Sequence, residues 1–103
     1  MNANLLLDAI TASANSKTFS PEPNVYADVQ SVQAPFQVHI SATATVTLYG
    51  RTHASMPWHP IVTLSNSDVD ATAKTAAELV TLFPQMYVDA TVTSGTVSAG
   101  LGV

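Results

Sequence analysis

The feature that most constrains this chain is a period-two alternation of apolar and polar residues, repeated along the sequence and built largely from Val, Thr and Ala. In "PFQVHIS", Phe36, Val38 and Ile40 fall on one side of an extended chain and Gln37, His39 and Ser41 on the other. "ATVTLYG" repeats the pattern, with Ala44, Val46 and Leu48 inward and Thr45, Thr47 and Tyr49 outward. Successive side chains of a strand point to opposite faces, so the pattern fits a sheet with one face buried and one in water. Branching at Cβ favours the same choice, because Val and Thr suit a pleated surface better than a helix. Only Ala42 and Thr43 separate the two runs. They predict either a hairpin or one long bent strand.

The reading extends to the C-terminal part. "QMYVDATVTSGTVSAGLGV" places Met86, Val88, Ala90 and Val92 on one face, a turn at Ser94 and Gly95, and then Val97, Ala99, Leu101 and Val103 in alternation. This is the pattern of a hairpin. "PIVTL", residues 60–64, reads as a short strand that Pro60 can begin, since the first residue of a strand can lack a donor. "SNSDVDA" is a loop by composition. Residues 71–83 are where a helix competes: Ala73, Ala76, Ala77 and Val80 lie near helical spacing with Thr72 as a cap, while "ELVTLF" reads equally well as a strand. At the start, "NLLLDAITAS" can oppose Leu5, Leu7 and Ala9 to Leu6, Asp8 and Ile10; "SPEPN" is an extended break, and "VYADVQSVQ" resumes a strand. Seven or eight short strands with regularly spaced turns predict an all-β fold, a single small antiparallel β-sandwich or jelly-roll-like domain, with one short helix near residues 71–80 as the open alternative. In this division residues 1–23 form an extended N-terminal strand or arm and residues 24–103 the sandwich.

A length of 103 residues fits one domain with a modest core. The hydrophobic fraction is 47%, but much of it is Ala and Val with seven aromatic residues, so the buried volume per residue is small. Charged residues make up 10%, against about 25% in an ordinary soluble domain. So few charges leave a surface prone to association. The expectation is that neighbours cover much of it in the working state; the bland alternative is a small secreted domain rich in Thr and Ser. A net charge of −4, with Lys17, Arg51 and Lys74 as the fixed cations, argues against binding nucleic acid, which requires several cations on one face. Without cysteine there is no disulfide framework, thiolate nucleophile or zinc–thiolate site. No run approaches the roughly 18 apolar residues of a membrane span, so no membrane partner is expected. "MNANLLLDAI" has no basic residue ahead of its apolar run and is interrupted by Asp8, unlike a signal peptide, which predicts folding in a cytosol.

Chemistry is concentrated in "VTLYGRTHASMPWHPIVTL", which holds the one Trp, the one Arg, two of three His and two of six Pro. His53 and His59 lie six apart across a loop, whereas rings meant to meet on one metal usually sit two apart in a strand or three to four apart in a helix. Asn66, Asp68 and Asp70 have the alternate spacing of oxygen-ligated calcium loops but lack the Gly and terminal Glu of an EF-hand; a turn using side-chain to backbone hydrogen bonds is the simpler account. The acids are dispersed and no G-x-S-x-G elbow occurs. No catalytic residue, metal or cofactor is therefore expected, and the chain is read as a non-enzyme. Trp58 with Tyr49 can be read as a sugar-stacking surface or as a plug at one end of the sandwich. A third reading makes Met56, Pro57 and Trp58 an exposed loop that packs on a partner, with Tyr49 nearby and His53 and His59 at its rim, since aromatics and Met are enriched in interface cores.

Taken together, "ATVTLYGRTHASMPWHPIVTL" followed by "MYVDATVTSGTVSAGLGV" resembles small β-sandwich virion proteins of tailed bacteriophages, of the capsid decoration or cement type. The features that carry it are Gly50, Trp58, Thr63 and Leu64, then Tyr87 and Val88, then Thr93, Ser94 and Gly95, with "LLLDAITASANS" similar to the opening strand. The resemblance implies a virion structural protein, assembled in the host cytoplasm, that binds the outer capsid surface as a homo-oligomer, most often a trimer. The implied partner is the major capsid protein or another virion protein. A neck, tail or baseplate position, or a carbohydrate-binding module using Trp58, is the alternative.

Overall fold

Alternation becomes strand wherever it is strict. The computed structural model describes residues 4–20 and 33–102, and in chain order its strands are β1 (Asn4–Ile10), β2 (Ala14–Asn15), β3 (Gln33–Ile40), β4 (Thr43–Arg51), β5 (His59–Ser65), β6 (Thr75–Thr81), β7 (Gln85–Ser94) and β8 (Val97–Leu101). Among the described residues there is no helix. The strands form two antiparallel sheets, ordered β1-β8-β3-β6 and β2-β7-β4-β5. Each strand of the first half pairs with its mirror in the second: β1 with β8, β2 with β7, β3 with β6, β4 with β5. Two further pairings, β3 with β8 and β4 with β7, roll that doubled chain into two facing sheets. This wiring is a jelly roll, within the sandwich class that the sequence predicts.

The core sits between the sheets and is made by the residues that alternation assigns to it. Phe36, Val38 and Ile40 of β3, Ala44, Val46 and Leu48 of β4, Met86, Val88 and Ala90 of β7, and Val97, Ala99 and Leu101 of β8 are all buried. Each large side chain among them contributes on the order of 1.5–3 kcal/mol by leaving water. Val92 is half-buried at the end of this row, and Val103 lies outside the described residues.

The expected hairpin from Met86 to Val103 does not form. β7 and β8 belong to different sheets, and the chain crosses from one to the other at Gly95. β3 and β4 do the same at Ser41 and Ala42, so they form neither a hairpin nor one continuous bent strand but two strands in different sheets. The two crossings lie against each other. Ser41 N–H donates to the Thr96 carbonyl at 3.0 Å, and Thr96 N–H donates to Ser41 Oγ at 2.8 Å. Gly95 makes the corner possible: its φ is +79°, and a Cβ there would lie 2.5 Å from Ser41 Oγ. Alternation gives each strand its inward face but does not say whether the chain turns within a sheet or across the core.

The helix near residues 71–80 is also replaced. Lys74 N–H donates to the Asp70 carbonyl at 2.8 Å, a single helical turn, and the Asp70 carboxylate accepts from Thr72 N–H at 3.0 Å and Ala73 N–H at 2.7 Å. Asp70, not Thr72, therefore caps the turn. Lys74 then takes φ +61°, which ends any helix, and Asp70 N–H closes on the Thr75 carbonyl at 2.8 Å. From Thr75 onward the chain pairs with β3 along seven residues, satisfying backbone groups of β3 that a helix would leave open.

The described part of the expected N-terminal arm lies along both sheets. β1 runs beside β8 with two register shifts and Ala9 at φ +49°, so only Leu7 is buried while Leu5 is 64% exposed. β2 lies beside β7, and Phe19 bridges to Met86. Residues 21–32, which hold most of "SPEPN" and "VYADVQSVQ", lie outside the described residues.

Candidate functional site

The register of β4 against β7 sets Thr47 opposite Asp89, Tyr49 opposite Tyr87 and Arg51 opposite Gln85. These residues alternate with buried Val46, Leu48 and Gly50, so they stand on the outer face of the β2-β7-β4-β5 sheet. Facing positions on neighbouring strands bring side chains into contact. The Tyr49 and Tyr87 rings stack, with centroids 4.9 Å apart and planes at 10°. Trp58, at the end of the loop of residues 52–58, meets Tyr87 at 75°, with centroids 4.7 Å apart. The Arg51 guanidinium lies 4.0 Å from the Trp58 ring centre, and its Nε–H donates to Gln85 Oε1 at 2.7 Å. The result is a continuous row, Tyr49, Tyr87, Trp58, Arg51, every member half-buried. Each aromatic contact contributes about 0.5–1.5 kcal/mol and the cation–π contact about 0.5–1 kcal/mol. Three such contacts hold the row in place before any partner arrives.

The electrostatics of the row follow from its packing. Burial, then the neighbouring Tyr49 phenol, then the Asp89 carboxylate all disfavour a phenolate at Tyr87, so its hydroxyl titrates above the ordinary tyrosine range. Arg51 supplies the fixed positive charge. Among the described residues it makes no ion pair with a carboxylate, and its hydrogen bond goes to a neutral amide.

The sequence-predicted residues divide around this row. Trp58 and Tyr49 both join it, linked through Tyr87. Met56 and Pro57 stand beside it in the loop, with Met56 50% exposed. That loop is held by Met56 N–H donating to the His53 carbonyl at 2.9 Å and Ser55 N–H donating to His53 Nδ1 at 3.1 Å. His53 thus orders the loop. His59 pairs with Gly50 across β4 and β5, which puts it on the opposite face of the sheet, 6.4 Å from Phe83. His53 and His59 do not converge, and no group of three or more His, Asp or Glu among the described residues is placed to hold a metal ion.

The side chains of Asn66, Asp68 and Asp70 are occupied by backbone N–H groups, that of Asn66 by one from β4 and those of the two aspartates by local ones. Asn66 Oδ1 accepts from Ala44 N–H at 3.3 Å and Asp68 from Ser65 N–H at 2.8 Å, while Asp70 caps its turn as above. Those two bonds to Asp70, with Lys74 close by, hold its carboxyl below the ordinary aspartate range. These are turn-forming side chains.

Sequence reasoning passed over Tyr87 and Gln85 as site residues and took Arg51 only as a charge. Their outward positions were legible in the alternation of residues 85–94. Their company was not, because it depends on β4 and β7 being neighbours across a separation of more than thirty residues. No protein-family model, curated protein or solved structure matches this chain.

Proposed function

We propose that this chain is a non-enzymatic structural protein of a tailed-bacteriophage virion, a decoration or cement protein that binds the outer capsid surface as an oligomer, with a trimer as the expected assembly. The observation that carries the reading is the row Tyr49, Tyr87, Trp58 and Arg51 on an open sheet face. Tyr, Trp and Arg are the residue types that dominate binding energy at protein interfaces, and here they come already positioned, which lowers the entropy lost on docking. The low charge of the chain fits a surface that works while covered. Cross-bridging would be the mechanism: each copy contacts more than one capsid subunit, and several modest interfaces act together through multivalency. A neck, tail or baseplate position would use the same face.

Purified virions and a capsid-binding assay test this directly. The protein should be found in virions by mass spectrometry and should saturate undecorated capsids at a fixed ratio, and Trp58→Ala should weaken that binding by about tenfold or more while the protein stays folded. Absence from virions, or unchanged binding by Trp58→Ala, overturns the reading. The second reading, a carbohydrate-binding module, draws on the same aromatics. Quenching of Trp58 fluorescence by host surface polysaccharide would favour it.

A further inference from the structure

We propose that the sheet β1-β8-β3-β6 turns its outer face toward two further copies of this chain, with Leu79 of each copy seated in a trough of the next. The number of copies rests on the preceding reading, but the contact does not. Among the described residues three large hydrophobic side chains stand exposed, Leu5, Met56 and Leu79, and two of them lie on this face, across the molecule from the aromatic row. Leu5 stands opposite Gly100 in the pairing of β1 with β8, and Leu79 stands opposite the exposed Pro35 in the pairing of β6 with β3. An open trough of about 370 Å³ runs over β8, lined by Leu5, Pro35, Gln37, Ser98, Gly100 and Gly102. Glycine keeps it open, since a Cβ on Gly102 would already lie 2.9 Å from Pro35 Cγ. The face thus carries an apolar knob near its β6 margin and an apolar trough near its β1 margin.

Two observations select a second copy as the occupant. The outward residues of β8, β3 and β6 include no Asp, Glu, Lys or Arg, so chains that each carry a net charge of −4 can meet there without burying or opposing a fixed charge. Knob and trough also belong to one chain and match in kind, a leucine against a glycine-lined hollow. A foreign partner that filled the trough would leave Leu79 in water, whereas a copy uses both. Because the two features sit at opposite margins of one face, copies arranged with this face inward bring the β6 margin of each to the β1 margin of the next. Such a head-to-tail contact covers every knob and every trough only when the ring closes.

The absence of cysteine makes the contact open to cross-linking. In the intact chain carrying both Leu79→Cys and Gly100→Cys, the two thiols sit on strands separated by β3, about 10 Å apart within one copy, too far for a disulfide, which needs Cα atoms within about 7 Å. Mild oxidation with oxidised glutathione should therefore join different copies, giving a ladder on a non-reducing gel that ends at the trimer. Each single-cysteine variant should stay uncross-linked. Leu79→Ser, at a position 62% exposed in the single chain, should keep the fold by circular dichroism and lower the mass in light scattering to that of one 10.8 kDa chain. No cross-linked product, or equal cross-linking of a single-cysteine variant, overturns the contact, as does an unchanged mass for Leu79→Ser. A ladder that stops at the dimer overturns the head-to-tail arrangement, and one that continues past three overturns the closed ring. A parent protein that is trimeric without cross-linking leaves the virion reading standing and sinks this interface; absence from virions sinks that reading and leaves a cross-linked trimer standing.

Discussion

Gly50 joins the site to the core. It lies in β4 between Tyr49 and Arg51, the two β4 members of the aromatic row, but its own empty side is buried at the end of the sandwich. A Cβ there would lie 2.7 Å from Phe83 Cγ and 2.8 Å from Ile61 Cδ1. Gly50→Ala should therefore cost about 1–3 kcal/mol through overpacking, read as a lower midpoint in urea unfolding; an unchanged midpoint would show that the Phe83 ring moves aside freely. Tyr87 makes a second prediction. Its folded pKa is raised, so the neutral phenol is favoured by the folded state. That contribution is complete below the unfolded value of about 10 and is lost as pH rises through the folded pKa. Stability should fall as pH rises above about 10, and Tyr87→Phe should flatten that fall. An identical alkaline profile in the two proteins would count against it. At this scale the sequence was informative: Phe36, Val46, Leu48 and Val88 are buried because alternation with a polar partner leaves them no other face. It was silent on Gly50, whose need for an absent side chain arises from Phe83, over thirty residues away.

Strands were legible as elements, and their partners were not. β3, β4, β7 and β8 follow from local alternation and β5 from a short apolar run that Pro60 begins, but the pairing of β3 with β8 and β4 with β7 comes from two chain crossings that look like hairpin turns in one dimension. β6 was ambiguous for a physical reason. Its alanines have high helix propensity, and the ladder to β3 overrides them. This strand forms one edge of its sheet, and such an edge invites pairing with a second chain. Glu78 counters that. It lies opposite buried Phe36 in the register, on the strand face shared by Ala76 and buried Val80, where a charge at the margin of the core resists burial. Glu78→Val should promote concentration-dependent association along β6, visible as a growing sedimentation coefficient. If the variant sediments as the parent does at every concentration, Glu78 has no such protective role.

For the whole molecule, the jelly roll buries its apolar residues between two sheets and leaves outer faces that carry Thr, Ser, Tyr and very few charges. A fold of this class serves many functions, so function is argued from the site and the surface. The site is an assembled row of interface-type residues, and the chain carries few of the charges that keep a free monomer apart from its neighbours. Both fit the proposed reading, in which the protein acts by association with copies of itself and with a larger assembly. The most direct test is the mass of the purified protein in solution, measured by light scattering at several concentrations. A stable trimer of the 10.8 kDa chain is the predicted result, and a mass that stays at 10.8 kDa across the whole range would contradict it.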